Sequence, residues 1–356
     1  MVGSGDQSGT ASHGRSARAA SSPPPPGAID SLPLKQQVGE LIILRFDGTT
    51  LPAYARRIFA RRAAAGAILF RNNVSSPPQL AGLTREVQSA AGGDAIIAAD
   101  QEGGPVRTVP WAGPANAPAT QGDPAAVTRT SRAAAAQLRA SGINLDLAPV
   151  ADVPSVDRAA LGPRAFGRDP ATVSAGVDAA VRGYAAGGVG TTAKHFPGLG
   201  GATANTDDRR VTIGRTARQL NEEDLPPFAA AVRAGVPVVM VGHALYPALD
   251  STHIASQSPA VYALLRSRLG FHGVAITDSL EARAVIGRSS VADAALASLR
   301  AGADLLLTTG RGSYIHVYRR LLDEASRSPA LRERIREAAG RVSALAQPIR
   351  TPTPPR

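Results

Sequence analysis

Lys194 and His195 stand side by side at the head of the window KHFPGLGGATANTDDRR, residues 194–210. The chain holds only one other lysine, Lys35, and otherwise uses arginine for its basic residues. A lysine placed ahead of three glycines in an Arg-rich chain asks for a chemical reason. An ammonium only donates hydrogen bonds, an ionised carboxylate only accepts them, and an imidazole does either. Together such groups grip the vicinal hydroxyls of a sugar, and a pair of carboxylates carries out glycosyl transfer. Asp100, Asp278 and His243 each end or follow an apolar run and supply the remaining members of this inventory. A second reading stays open. GLGGATAN resembles a dinucleotide loop, but it lacks the third glycine, and polar NTDDRR occupies the place where a phosphate-binding helix should begin. Without cysteine there is no disulfide and no thiolate metal site. The absence of H-E-x-x-H and G-x-S-x-G removes the commonest metalloprotease and serine-hydrolase routes.

These residues are far apart in sequence, so a scaffold must gather them. Eight short apolar runs recur at 40–46, 66–70, 95–100, 144–150, 191–196, 236–242, 273–278 and 304–309. Stretches of helical period separate them, such as DPAAVTRTSRAAAAQLRASG and SVADAALASLRAGA. Several open on a Ser or Asp cap followed by Pro or a helix former, and close on Gly. Buried strands alternating with helices predict a parallel sheet. Eight repeats over about 300 residues favour a closed (β/α)8 TIM barrel, whose strand ends build the site on one face. Asp47, Asp100, Asp152, the Lys194–His195 pair, His243 and Asp278 all lie at or just beyond such ends. Each alone would serve as a helix cap; six at one mouth point to a site.

The 356 residues suit one large barrel domain, expected over 31–350, with a helical segment closing it. A hydrophobic share of 44% supports a substantial core, and no apolar run is long enough to span a membrane. Residues 1–30 are rich in Ser, Gly, Ala and Pro and read as a disordered leader; residues 351–356 read as a disordered tail. No signal-peptide core is visible, which places the chain in the cytoplasm by default and outside it only if a signal lies upstream. The net charge of +11 invites a nucleic-acid partner. Its arginines, however, interleave with glutamates on helices, as in LRERIREAAGRV, and aromatics make up only 4%. Solvated helix faces account for the charge, and no nucleic-acid partner is expected.

DQEGGPV, RAFGRDP, KHFPGLG and ITDSLEA, in that order, resemble glycoside hydrolase family 3, and within it the single-domain β-N-acetylhexosaminidase branch. The similarity runs from about Leu34 to Ala346 and takes in EEDLPPFAAAV and GHALYPALD. It implies retaining exo-hydrolysis of terminal β-linked N-acetylglucosamine in peptidoglycan turnover, on a glycan or muropeptide, by a monomer that needs no metal or organic cofactor. By the same resemblance Asp278 is the nucleophile. Asp100, Arg164, Lys194 and His195 bind sugar hydroxyls, with His243 and Arg107 as further substrate contacts. Two positions depart from the pattern. The family's Asp-Ser-His acid/base element reads Asn205-Thr206-Asp207 here, which makes Asp207 the candidate acid/base. Thr108 stands where the family has a later Arg, and Arg107 is one residue away. A β-glucosidase-like hydrolase and a catalytically impaired sugar-binding relative are the alternatives.

Overall fold

A computed structural model of the chain describes Met1, residues 27–287 and residues 289–350. The expected leader, up to residue 26, and the expected tail lie outside the described residues, and Gly27–Asp30 forms a single helical turn. Eight parallel strands form the barrel: β1 Ile42–Arg45, β2 Gly66–Leu69, β3 Ile96–Ala99, β4 Leu145–Asp146, β5 Gly190–Phe196, β6 Val238–Val241, β7 Val274–Thr277 and β8 Leu306–Leu307. Each expected apolar run holds one of them. Hydrogen bonding follows chain order from β1 to β7, and β8 pairs back onto β1 with Ile42 opposite Leu306. A parallel bridge from Ile276 to Leu305 spans the seam between β7 and β8, so the strands read as a (β/α)8 barrel.

The outer layer comprises α1 Ala53–Ala60, α2 Pro77–Ala90, α3 Pro124–Ala140, α4 Pro170–Gly187, α5 Leu225–Arg233, α6 Pro259–Ala263, α7 Val291–Ala301 and α8 Ser313–Arg327. Their starts carry the expected chemistry. Asp123 and Asp169 accept hydrogen bonds from Ala126 and Thr172 amides, and Ser76, Ser258 and Ser290 do the same for α2, α6 and α7. Pro77, Pro124, Pro170 and Pro259 occupy the first helical position, where no amide hydrogen is needed. Such caps are worth about 1 kcal/mol each.

Two apolar layers result. Ile43, Ile68, Ile96, Leu145, Leu147, Val238, Met240 and Ile276 fill the barrel interior, while the alternate strand residues pack outward against the helices. The closing segment breaks at Ser328 into α8 and α9, Pro329–Arg350. Val342 and Leu345 of α9 join the interior cluster at the lower end of the barrel. Asp304, fully buried just before β8, fixes this arrangement. It receives Arg334 at 2.7 Å, Arg341 at 3.1 Å, the Arg266 guanidinium and the Ala275 amide at 3.0 Å. Among the described residues no helix is long and apolar enough to cross a membrane.

Candidate active site

The opposite end of the barrel gathers the predicted residues. Lys194 lies near the end of β5, fully buried, with its Nζ 2.6 Å from Asp100 Oδ1 and 2.7 Å from Glu102 Oε1. Arg164 reaches the same Glu102 through two parallel bonds of 2.8 Å, from Nε and Nη2. Bidentate guanidinium–carboxylate pairing fixes geometry as well as charge. Burial opposes the Glu102 charge, but Lys194 and Arg164 outweigh it and hold the carboxyl at about 2. Lys194 is itself stabilised as an ammonium: burial pulls it down, and Asp100 with Glu102 pull it up further. Glu102 is sealed in, its side chain 1% exposed, whereas the Asp100 side chain is 27% exposed and keeps an oxygen for a ligand.

His195 follows Lys194 across a cis peptide. Its Nδ1 lies 2.8 Å from Asp152 Oδ2, and the same carboxylate takes the backbone amides of His195 and Leu199. A carboxylate acceptor at Nδ1 fixes a proton on that nitrogen and leaves Nε2 without a partner among the described residues. The glycines of the opening window serve close packing. A Cβ on Gly198, at φ +130°, would lie 2.7 Å from the Asp224 Cβ, and one on Gly200 would lie 1.8 Å from the Val153 carbonyl oxygen. No helix N-terminus follows them to cradle a phosphate; residues 197–216 run as turns and loop until Ala217–Gln219.

Asp278 directly follows β7, and its Oδ1 accepts the Ser279 amide at 2.7 Å. Burial raises this carboxyl, but His195, His243, the Ser279 amide and Lys194 together bring it below its ordinary value. Asp207 moves in the opposite direction. Asp207 is an exposed residue of its loop, yet partial desolvation of its carboxyl lifts it, and the Asp278 charge lifts it further, with Asn205 pulling the other way. Asn205 donates to Asp207 Oδ2 and accepts the Asp207 amide, both at 3.1 Å. The loop is tied down by backbone: the Arg283 and Ala284 amides donate to the carbonyls of Asp207 and Thr206 at 3.2 and 3.1 Å. Arg210 adds a bond to the Gly287 carbonyl. The turn that follows Asp278 therefore carries the loop that holds Asp207.

Two predicted substrate contacts make bonds within the protein. His243 is fully buried, with Nε2 donating to the Ser279 carbonyl and Nδ1 paired with the Ser256 hydroxyl, each at 2.8 Å. Both nitrogens are spent, so His243 has none left for a sugar and instead steadies the turn after Asp278. Arg107 curls back along its hairpin, donating to the Gly104 and Pro110 carbonyls at 3.0 and 3.3 Å. Glu102 is a member of this site that the sequence reading did not assign, and Asp152, placed at the mouth by its strand end, had been given no role. Glu102 stands inside DQEGG and Asp152 two residues beyond the fourth apolar run, and those positions were the available signal.

A family model described as the glycosyl hydrolase family 3 N-terminal domain matches residues 33–345. A β-hexosaminidase of Xylella fastidiosa (strain M12) is 35% identical over 278 residues, covering 75% of this chain and 82% of that protein. Among solved structures, the family 3 β-N-acetylglucosaminidase of Paenibacillus sp. str. FPU-7 superposes with a TM-score of 0.85 at 33% identity. That match covers 90% of this chain and 63% of the Paenibacillus chain. The β-N-acetylhexosaminidase of Beutenbergia cavernae gives 0.82 at 31% identity, over 89% of this chain and 99% of its own.

Proposed function

The chain belongs to glycoside hydrolase family 3, and on that premise we propose that it is a retaining exo-glycosidase acting on terminal β-linked N-acetylglucosamine of a glycan or muropeptide. The observation that carries the mechanism is the divergence of two neighbouring carboxyls. Asp278 is held down by His195, His243 and the Ser279 amide, whereas desolvation and the Asp278 charge push Asp207 up. Two carboxyls whose environments drive their pKa values apart divide into nucleophile and acid.

The terminal sugar sits with its hydroxyls on the free oxygen of Asp100, the remaining donors of Lys194 and Arg164, and His195 Nε2. Asp278 attacks the anomeric carbon as its bond to the leaving oxygen breaks, and Asp207 gives that oxygen its proton. The resulting glycosyl ester is then attacked by water, which surrenders a proton to the Asp207 carboxylate as Asp278 departs. Two inversions give net retention. Asn205 keeps the Asp207 carboxyl aimed at the cleft in both half-reactions. The protein acts as a monomer, which light scattering checks.

The deciding experiment traps the enzyme with a fluorinated N-acetylglucosamine-type substrate and maps the adduct by mass spectrometry. An adduct on the peptide containing Asp278, with faster release from aryl β-N-acetylglucosaminide than from aryl β-glucoside, supports the assignment. An adduct elsewhere, or preference for the glucoside, overturns it. The replacement of the family histidine by Asp207 favours a second reading, a sugar binder with impaired turnover, and N-acetylglucosamine binding without release from either aryl glycoside would select it.

A further inference from the structure

The fourth strand carries a carboxyl in an unexpected place. Leu145 and Leu147 point into the barrel, so Asp146 between them faces outward, into the layer between sheet and helices, where it is fully buried. Its Oδ1 accepts the Gln101 amide at 3.0 Å, and its Oδ2 has no hydrogen-bond partner among the described residues. The carbonyl of Gln101 is held by the Tyr184 hydroxyl of α4 at 3.2 Å. The Gln101 side chain is spent entirely on its own loop, bonding Val109, Ala112 and Gly113. Gln101 is the residue between Asp100 and Glu102, the two carboxylates that flank Lys194. Asp146 and Tyr184 thus clamp the backbone from which the sugar-facing carboxylates project.

The charges in reach of Asp146 are already matched. Lys194 on β5 is paired to Asp100 and Glu102, Arg164 to Glu102, and no cation pairs with Asp146 among the described residues. The groups that act on it are Tyr184 from α4, the Gln101 amide, Lys194 from β5 and Asp100 from the end of β3. A buried carboxyl without a cation favours its neutral form. The Tyr184 hydroxyl lies between two acceptors: it donates to the Gln101 carbonyl at 3.2 Å and also acts on Asp146, so an ionised Asp146 would compete with that carbonyl for it.

We propose that Asp146 is a positioning residue for sugar binding, working as a neutral acid behind the strand to hold the Asp100–Glu102 backbone in place. It touches no substrate; it acts through the Gln101 peptide. Burial, ahead of the relief given by Tyr184 and the Gln101 amide, lifts this carboxyl to about 7, so its proton is lost over the pH range in which the protein can be assayed. The sugar-binding part of this inference rests on the hydrolase reading above, and the protonation part does not.

The test compares wild type with Asp146→Asn, which keeps the acceptor for Gln101 and cannot ionise, and with Asp146→Leu. Calorimetry with N-acetylglucosamine reads sugar binding independently of turnover. In wild type the dissociation constant should rise roughly threefold or more between pH 6 and 8, and in Asp146→Asn it should stay level near the wild-type value at pH 6. Asp146→Leu should bind more weakly at both pH values. Thermal melts supply the second readout. A carboxyl with a folded value near 7, against about 3.9 unfolded, costs stability as pH climbs between those values and no more beyond them. The melting temperature of wild type should therefore fall relative to Asp146→Asn from pH 5 to 7 and run parallel above that. Parallel melts throughout overturn the neutral-acid assignment. Diverging melts with a pH-independent wild-type dissociation constant overturn the link to sugar binding. Diverging melts with no sugar binding in wild type at any pH overturn the hydrolase reading and leave the protonation of Asp146 supported.

Discussion

The two ends of the barrel each hold a buried cluster of charges, and they differ in what they leave unspent. At the lower end Asp304 takes three arginines and a backbone amide, so both of its oxygens are fully used inside the protein. At the upper end two cations, Lys194 and Arg164, share Asp100 and Glu102, and Asp100 still presents an oxygen to the mouth while His195 presents a nitrogen. A saturated cluster holds elements together; one with spare donors and acceptors waits for a ligand. Buried ion pairs cost desolvation, so charge at either end persists only where each group is well compensated. The upper cluster is compensated up to the point where a sugar would complete it.

The sharpest way to break the contrast is at the proposed nucleophile. Asp278→Asn should lower kcat against an aryl β-N-acetylglucosaminide by at least about 10^3-fold while leaving the melting temperature within a few degrees, since a covalent step has lost its nucleophile. Equal losses of activity and stability would place Asp278 with the structural groups. Asp304→Ala should do the reverse. Stranding three arginines should cost about 3–5 kcal/mol in urea unfolding, with kcat/KM per folded molecule nearly unchanged. Lys194→Met removes the shared cation of the upper cluster. About 1.5–3 kcal/mol of charged hydrogen bonding goes with it, seen as a KM raised roughly ten- to hundredfold. A KM unmoved by this change would empty the clamp of its meaning.

The smallest effect concerns the acid/base loop, and pH sets its sign. The lowered Asp278 must be ionised, so kcat/KM falls on the acid side as pH drops through its value. The raised Asp207 must be protonated, so kcat/KM falls on the alkaline side as pH climbs through its value. Asn205 favours the ionised form of Asp207. Asn205→Ala should therefore shift the alkaline limb to higher pH and lower the maximum only about two- to fivefold, on the scale of one lost hydrogen bond. A pH–rate profile of wild type and variant decides it; an acid limb that moves instead would assign Asn205 to the nucleophile.

Much of the frame was legible in the chain because barrel elements announce themselves locally. Apolar runs, Ser and Asp caps, and Pro at first helical positions are all short-range signals, and each run did hold a strand. Polar strand ends marked the mouth. Partnership was not legible. Lys194 meets Asp100 across 94 positions, and His195 meets Asp152 across 43. Periodicity tells which face a residue takes, not which neighbour it meets there. The same limit hid the inward turn of His243, whose serine partner lies on a separate loop, and the folding back of Arg107 onto its own hairpin. Asp146 was visible as a lone acid within NLDLAPV, yet alternation alone could not say that it would find a backbone amide from the hairpin that follows β3.

The last helix also sets a schedule. Val342 and Leu345 stopper the lower end of the barrel, and two of the three arginines on Asp304 come from the same helix. Until α9 has been made, the strands lack that floor and Asp304 lacks two of its partners. A ribosome stalled before α9 would hold a chain that has its whole upper mouth and no bottom, open to proteases from below.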